Sequence, residues 1–293
     1  MNLPNRLFRF IIFSNLFIAI CAVLMCFQTS QLLLDARVNS ELLLFVFFAT
    51  VCSYSFHWML TAPLISGDES VTRFDRNNWL GRHLNLHVGF FLMGAAGSAW
   101  FGARLMDDWP WLLLIAFITF LYSAPKIPLR PFRWLRKIAL GKTIFLALVW
   151  TLVTTWLPVM VAGMAWKLSF TVFLMGRFFL IYAICILFDL RDREYDRSNG
   201  IRSLTTWLSL PGVRILFYLS ILLSAALFTS MLAFGQSGLT VFLLLIPVFL
   251  TMVLFKKSQT DYSDLLYYLV LDGLMALSPL LTLLAAGFPG KIV

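Results

Sequence analysis

Long apolar runs alternate with short polar segments over the whole chain. The runs fall at 8–27, 42–62, 84–103, 109–124, 138–160, 168–189, 213–234, 238–256 and 263–287. A helix needs about 20 apolar residues to cross the hydrocarbon of a bilayer. None of the runs shows the strict apolar/polar alternation of a half-buried strand. Backbone groups in lipid must be satisfied within the segment, so each run is expected to be an α-helix. The pattern therefore predicts an all-α polytopic membrane helix bundle with about nine spans. The fourth run is short and opens with Trp109 and Trp111, as an interfacial aromatic belt does. No repeat, long linker or low-complexity tract divides the chain, so residues 1–293 read as one transmembrane domain.

Composition agrees with this pattern. Sixty per cent of the residues are hydrophobic and 13% are charged, and the mean hydropathy is +0.86. Such a chain cannot cover itself with polar groups in water, so lipid is its solvent. The net charge of +9 is explained by where the cations lie. With the N-terminus in the cytoplasm, eighteen of the 23 Lys and Arg residues fall on that side. Only Arg37, Arg104, Lys167 and Lys291 fall on the other, and Arg177 lies within a span. This asymmetry predicts a cytoplasmic N-terminus and a C-terminus on the opposite side, in a membrane of the bacterial inner type. It also removes any need for a nucleic-acid partner. The first run follows Arg6 and Arg9, but no A-x-A-like site comes after it, so it reads as a retained span. The four cysteines sit inside apolar runs and read as buried hydrophobes.

Two segments carry candidate chemistry. Phe188-Asp189-Leu190-Arg191-Asp192-Arg193-Glu194-Tyr195-Asp196-Arg197 follows the sixth run, with Gly200 and Leu204 beyond it. If the helix continues, Asp189, Asp192 and Asp196 lie within about 60° of one another around its axis. Carboxylates so placed can hold Mg²⁺, which takes few protein ligands and completes its shell with water and substrate phosphate. Arg191, Arg193 and Arg197 can neutralise the carboxylates or clamp a diphosphate, although a solvated, mixed-charge helix end reads equally well at this point. The second segment is Tyr122-Ser123-Ala124-Pro125-Lys126, with Arg130, Arg133, Arg136 and Lys137 behind it. Pro125 and Pro128 turn the chain along the membrane surface. The basic loop suits anionic headgroups or a diphosphate.

Together these segments resemble the UbiA superfamily of membrane prenyltransferases. Tyr122-Ser123-x-Pro125 with Lys126 is similar to that family's Y-S-x-P element. Asp189-x-x-Asp192-x-x-x-Asp196-Arg197-x-x-Gly200-x-x-Ser203-Leu204 is similar to its second aspartate-rich motif. The resemblance implies a nine-helix bundle and transfer of an isoprenyl group from its diphosphate to a lipophilic acceptor. It further implies that Asp189, Asp192 and Asp196 hold Mg²⁺. Tyr122, Ser123, Lys126 and Arg130 are then expected to contact the diphosphate.

One part of the family pattern is missing. The first aspartate-rich motif belongs at the cytoplasmic end of the second span, which here reads Cys52-Ser53-Tyr54-Ser55-Phe56-His57-Trp58-Met59-Leu60 and contains no carboxylate. All three histidines, His57, His83 and His87, flank the loop that follows. A mixed histidine–carboxylate site for a transition metal is one reading of them. Interfacial histidines without metal is the plainer one. Arg177 and Asp272 lie deep within the sixth and ninth runs and are expected to face the interior and pair. The sequence thus supports a divergent prenyltransferase. Its alternatives are an inactive UbiA-type protein that binds a lipid, a quinone or a partner, and a transporter built on the Arg177–Asp272 pair.

Overall fold

The computed structural model describes residues 9–35, 38–65, 75–124, 127, 142–198 and 203–286. We number its helices in chain order. α1 is Leu16–Leu33, α2 Ser40–Ile65, α3 Asp75–Arg82, α4 Leu84–Ala103 and α5 Trp109–Ser123. α6 comprises Lys142–Thr151, a π-helical turn at Leu152–Trp156, and Leu157–Val161. α7 is Leu168–Ser198, α8 Leu204–Trp207, α9 Leu210–Ser230 and α10 Gly238–Ser258. α11 opens with a second π-helical turn at Leu266–Leu271 and continues as Asp272–Ala286. Eight of these helices are long and apolar enough to cross a membrane. The 15-residue α5 takes the place of the short fourth run, so each predicted span has its helix among the described residues. The protein is an integral membrane protein.

Burial orders the bundle. About two thirds of α7's span (67%) is buried inside the protein, against 11% for α4, so α7 is central and α4 peripheral. α7 packs against α9 and α6; α1 packs against α2 and α11. Large side chains such as Leu92, Trp100, Phe117, Ile215, Leu222 and Phe242 point outward and are exposed. That face would be unfavourable in water and suits lipid.

The most extensive helix contact, α2 on α4, depends on small residues. A Cβ on Gly94 would stand 2.6 Å from the backbone nitrogen of Cys52, and one on Gly97 would stand 2.3 Å from the Phe48 ring. With lipid on the outside there is little hydrophobic drive between helices, and close backbone approach substitutes for it.

The first span differs from its expected bounds of 8–27. A helical segment at 9–13 ends in a turn, and α1 then runs to Leu33. The break is at Asn15, whose φ of 68° is left-handed. Asn adopts that conformation at less cost than most residues. Its amide also serves two neighbours: Nδ2 donates to Ser55 Oγ at 3.3 Å, and Oδ1 accepts from Arg76 at 2.7 Å.

Candidate functional site

α7 continues as a helix through Ser198. Asp189, Asp192 and Asp196 therefore share a face, as their spacing requires. Their partners differ. Asp189 is buried, and its carboxylate accepts from Thr143 Oγ1 on α6. Its backbone carbonyl accepts from Thr205 Oγ1 of α8 at 3.1 Å. Asp192 is about one-third exposed and accepts from Arg191 Nε at 2.8 Å. Asp196 is buried. Arg193 Nε donates to the Thr205 carbonyl at 2.7 Å, and Arg197 is exposed.

The Tyr122–Ser123 element meets the end of α2. The Tyr122 ring stacks on His57, centroids 5.1 Å apart, and Ser123 Oγ lies 3.4 Å from His57 Nδ1. So the stretch that lacks the first acidic motif still adjoins the second candidate segment, through an imidazole. Lys126 and Arg130 lie outside the described residues.

The histidines do not gather. His83 stacks on Trp79 at 4.5 Å, and its Nδ1–H donates to the Trp79 carbonyl at 2.9 Å. His87 is buried, edge-on to the same indole at 5.5 Å. His57 faces Tyr122 instead. Among the described residues no group of three or more His, Cys, Asp or Glu side chains converges as a metal cage would. The acidic face of α7 is nonetheless compatible with one Mg²⁺ held by Asp192 and Asp196, one helical turn apart, because that ion takes one or two carboxylates and fills its shell with water and phosphate.

The expected Arg177–Asp272 pair does not form. Arg177 is buried, but its partners are neutral. Nη2 donates to Gln28 Oε1 at 2.7 Å. Nη1 donates to Thr29 Oγ1 and the Thr154 carbonyl at 2.8 Å each, and to Thr155 Oγ1 at 2.9 Å. The π-helical turn at Leu152–Trp156 explains the choice. It widens the backbone, and the Thr154 carbonyl then accepts from both Arg177 and Thr29 Oγ1. Nothing in the apolar pattern of that run signals the turn.

Two other cations, Arg76 and Arg191, meet on the Tyr268 ring of α11, 4.1 and 5.2 Å from its centroid. Arg191 belongs to the candidate segment after the sixth run; the entry of Arg76 into the bundle is what sequence reasoning missed. Arg76, near the start of α3, is 5% exposed and lies between the rings of Trp58 and Tyr268, 4.3 and 4.1 Å from their centroids. Its backbone N–H donates to Asp264 at 2.7 Å. Burial pushes the Arg76 guanidinium below its usual range, yet a guanidinium stays charged through any such shift at neutral pH. Arg191 reaches the other side of Tyr268, donating to its hydroxyl at 3.2 Å. The aromatic Trp58 and Tyr268 gave no sign of this role, since such residues abound in any membrane bundle.

No family model and no curated protein matches the chain. A solved structure does: the apo structure of a UbiA homolog from Aeropyrum pernix K1 superposes with a TM-score of 0.66 over 90% of this chain and 94% of that one, at 13% identity. The chain has the UbiA-type fold. The acidic face of α7, Tyr122–Ser123 and the end of α2 lie at one end of the UbiA-type bundle, with Arg76 and Arg191 between α2, α7 and α11.

Proposed function

We propose that the protein is a divergent UbiA-type prenyltransferase that moves an isoprenyl group from its diphosphate to a lipophilic acceptor. The observation that carries this reading is the acidic face of α7 beside two buried guanidiniums, at one end of an apolar bundle. Mg²⁺ bound by Asp192 and Asp196, with Asp189 behind them, would neutralise the leaving diphosphate. Arg76 and Arg191 set a positive field in a low-dielectric site, where charge developing on the diphosphate is stabilised most. The C–O bond to the allylic carbon breaks, and the diphosphate leaves with the electron pair. The carbocation, sheltered from water by the bundle, is attacked by the acceptor, which then releases a proton. Tyr122, Ser123, Lys126 and Arg130 would bind the diphosphate. This reading places the α3 end of the bundle and the N-terminus in the cytoplasm, in a bacterial-type inner membrane.

A second reading is a lipid- or quinone-binding protein of the same fold without catalysis. The end of α2 favours it, because His57 stands where an acidic motif is expected. Binding of a labelled isoprenyl diphosphate in micelles, with and without Mg²⁺, tests both. Metal-dependent binding that is lost in Asp192→Ala/Asp196→Ala supports transfer. No binding by folded protein under any metal supports the second reading.

A further inference from the structure

A polar cavity adjoins the same end of α7 as the acidic face. It has a volume of about 270 Å³ and opens between α7, α9 and the end of α10. Three guanidiniums, those of Arg191, Arg193 and Arg214, line it against one carboxylate, Glu194. Its remaining wall includes Val213 and Phe255, which are buried, and Leu210, which is half-exposed. On α7, Leu190 and Glu194 point roughly 100–160° around the axis from Asp189, Asp192 and Asp196, and Arg193 stands between the two faces. The cavity thus turns mostly away from the aspartates, while it shares Arg191 with the centre assigned to the diphosphate.

Charge and shape together limit what fits. Arg214 is exposed and makes no hydrogen bond or ion pair among the described residues. The net charge of the lining is positive, so the ligand is an anion. Half of the lining is apolar, and α9, which supplies Leu210, Val213 and Arg214 to it, carries the exposed Ile215, Tyr218 and Leu222 in its next turns. A soluble phosphate would leave that apolar wall uncovered. A phosphodiester joined to acyl chains covers it: headgroup on the arginines, chains along α9. Basic pockets between helices at a membrane surface hold anionic headgroups in this way.

We propose that this cavity binds the headgroup of an anionic phospholipid. The site does not depend on prenyl transfer, and the test below reads lipid rather than activity. The full chain, purified in nonionic detergent, is titrated with phosphatidylglycerol or phosphatidylcholine, and bound lipid is counted by native mass spectrometry. Phosphatidylglycerol is expected to bind at least tenfold more tightly. Arg214→Gln should weaken it about fivefold, the contribution of one cation near a charged surface. Arg104→Gln, which removes one positive charge at the other end of the bundle, should leave it unchanged. Millimolar inorganic phosphate should not displace the lipid. Equal binding of both lipids overturns the proposal. So does an Arg214→Gln protein with unaltered preference, or displacement by inorganic phosphate, which would mark a site for a soluble anion. Circular dichroism of Arg214→Gln confirms that loss of lipid is not loss of fold.

Discussion

Replacing Arg177 by Met should destabilise the bundle by about 2–4 kcal/mol. The side chains are similar in volume, so the change removes the charge and the donors while leaving a small cavity. Five acceptors within 3.2 Å lose a partner: Gln28 Oε1, Thr29 Oγ1, the Thr154 carbonyl, Thr155 Oγ1 and the Met25 carbonyl. They do not lose equally. The Thr29 hydroxyl, with its single proton, still donates to the Thr154 or the Met25 carbonyl, whereas Gln28 Oε1 and Thr155 Oγ1 have no other donor among the described residues. A buried acceptor left unsatisfied costs about 1–3 kcal/mol, and interhelical hydrogen bonds in membranes average about 0.6 kcal/mol each. Against this stands relief from burying a cation without a carboxylate, which keeps the total near the lower sum. Reversible unfolding by SDS in mixed micelles measures it. Gln28→Leu in the same protein removes one orphan, so the double variant should be less destabilised than the sum by about 1 kcal/mol. Arg177→Met and Asp272→Asn should be additive within about 0.5 kcal/mol. An Arg177→Met protein as stable as the parent, or one coupled to Asp272 and not to Gln28, refutes the reasoning.

Three further outcomes are expected. Gly94→Ala should cost about 1–3 kcal/mol, because its Cβ meets the Cys52 backbone at 2.6 Å; Gly89→Ala, with nothing within 4 Å, should instead stabilise by about 0.5–1 kcal/mol. The same SDS titration separates them. Arg76→Leu should release α3 from the bundle, losing two aromatic faces and the charged hydrogen bond to Asn15, together about 2–4 kcal/mol; faster amide exchange confined to α3 and the Asn15 turn would show it. His57→Ala should weaken the packing of α5 on α2 by removing the ring stacked on Tyr122 at 5.1 Å, by about 0.5–1.5 kcal/mol; unaltered stability with unaltered Tyr122 fluorescence would count against that contact.

The missing first motif takes a different shape once the chain is folded. The end of α2 contributes no carboxylate, but it is not inert. His57 stacks against Tyr122, Trp58 covers one face of Arg76, and Ser55 anchors the Asn15 amide. Cations and aromatic rings therefore occupy a region where the family resemblance leads one to expect metal ligands.

The spans and the shared face of Asp189, Asp192 and Asp196 were legible from the sequence, because both are local properties. Twenty apolar residues fix a crossing helix through the energetics of an unpaired backbone in lipid, and helical geometry fixes which residues three and four apart are neighbours. The partner of a buried charge is not local. Arg177 and Asp272 looked like a pair because both are charged and deep. Yet a π-helical turn in α6 offers Arg177 a carbonyl and two hydroxyls, and α1 adds the Thr29 hydroxyl and the Gln28 amide oxygen. In the same way nothing near Arg76 in the chain announces that it enters the bundle, since its partners come from 61 and 192 residues away, at Asn15 and Tyr268. Local periodicity decided the helices; only the way distant helices came together decided where the charges went, because hydrogen bonds and cation–aromatic contacts depend on separations that a linear sequence does not contain.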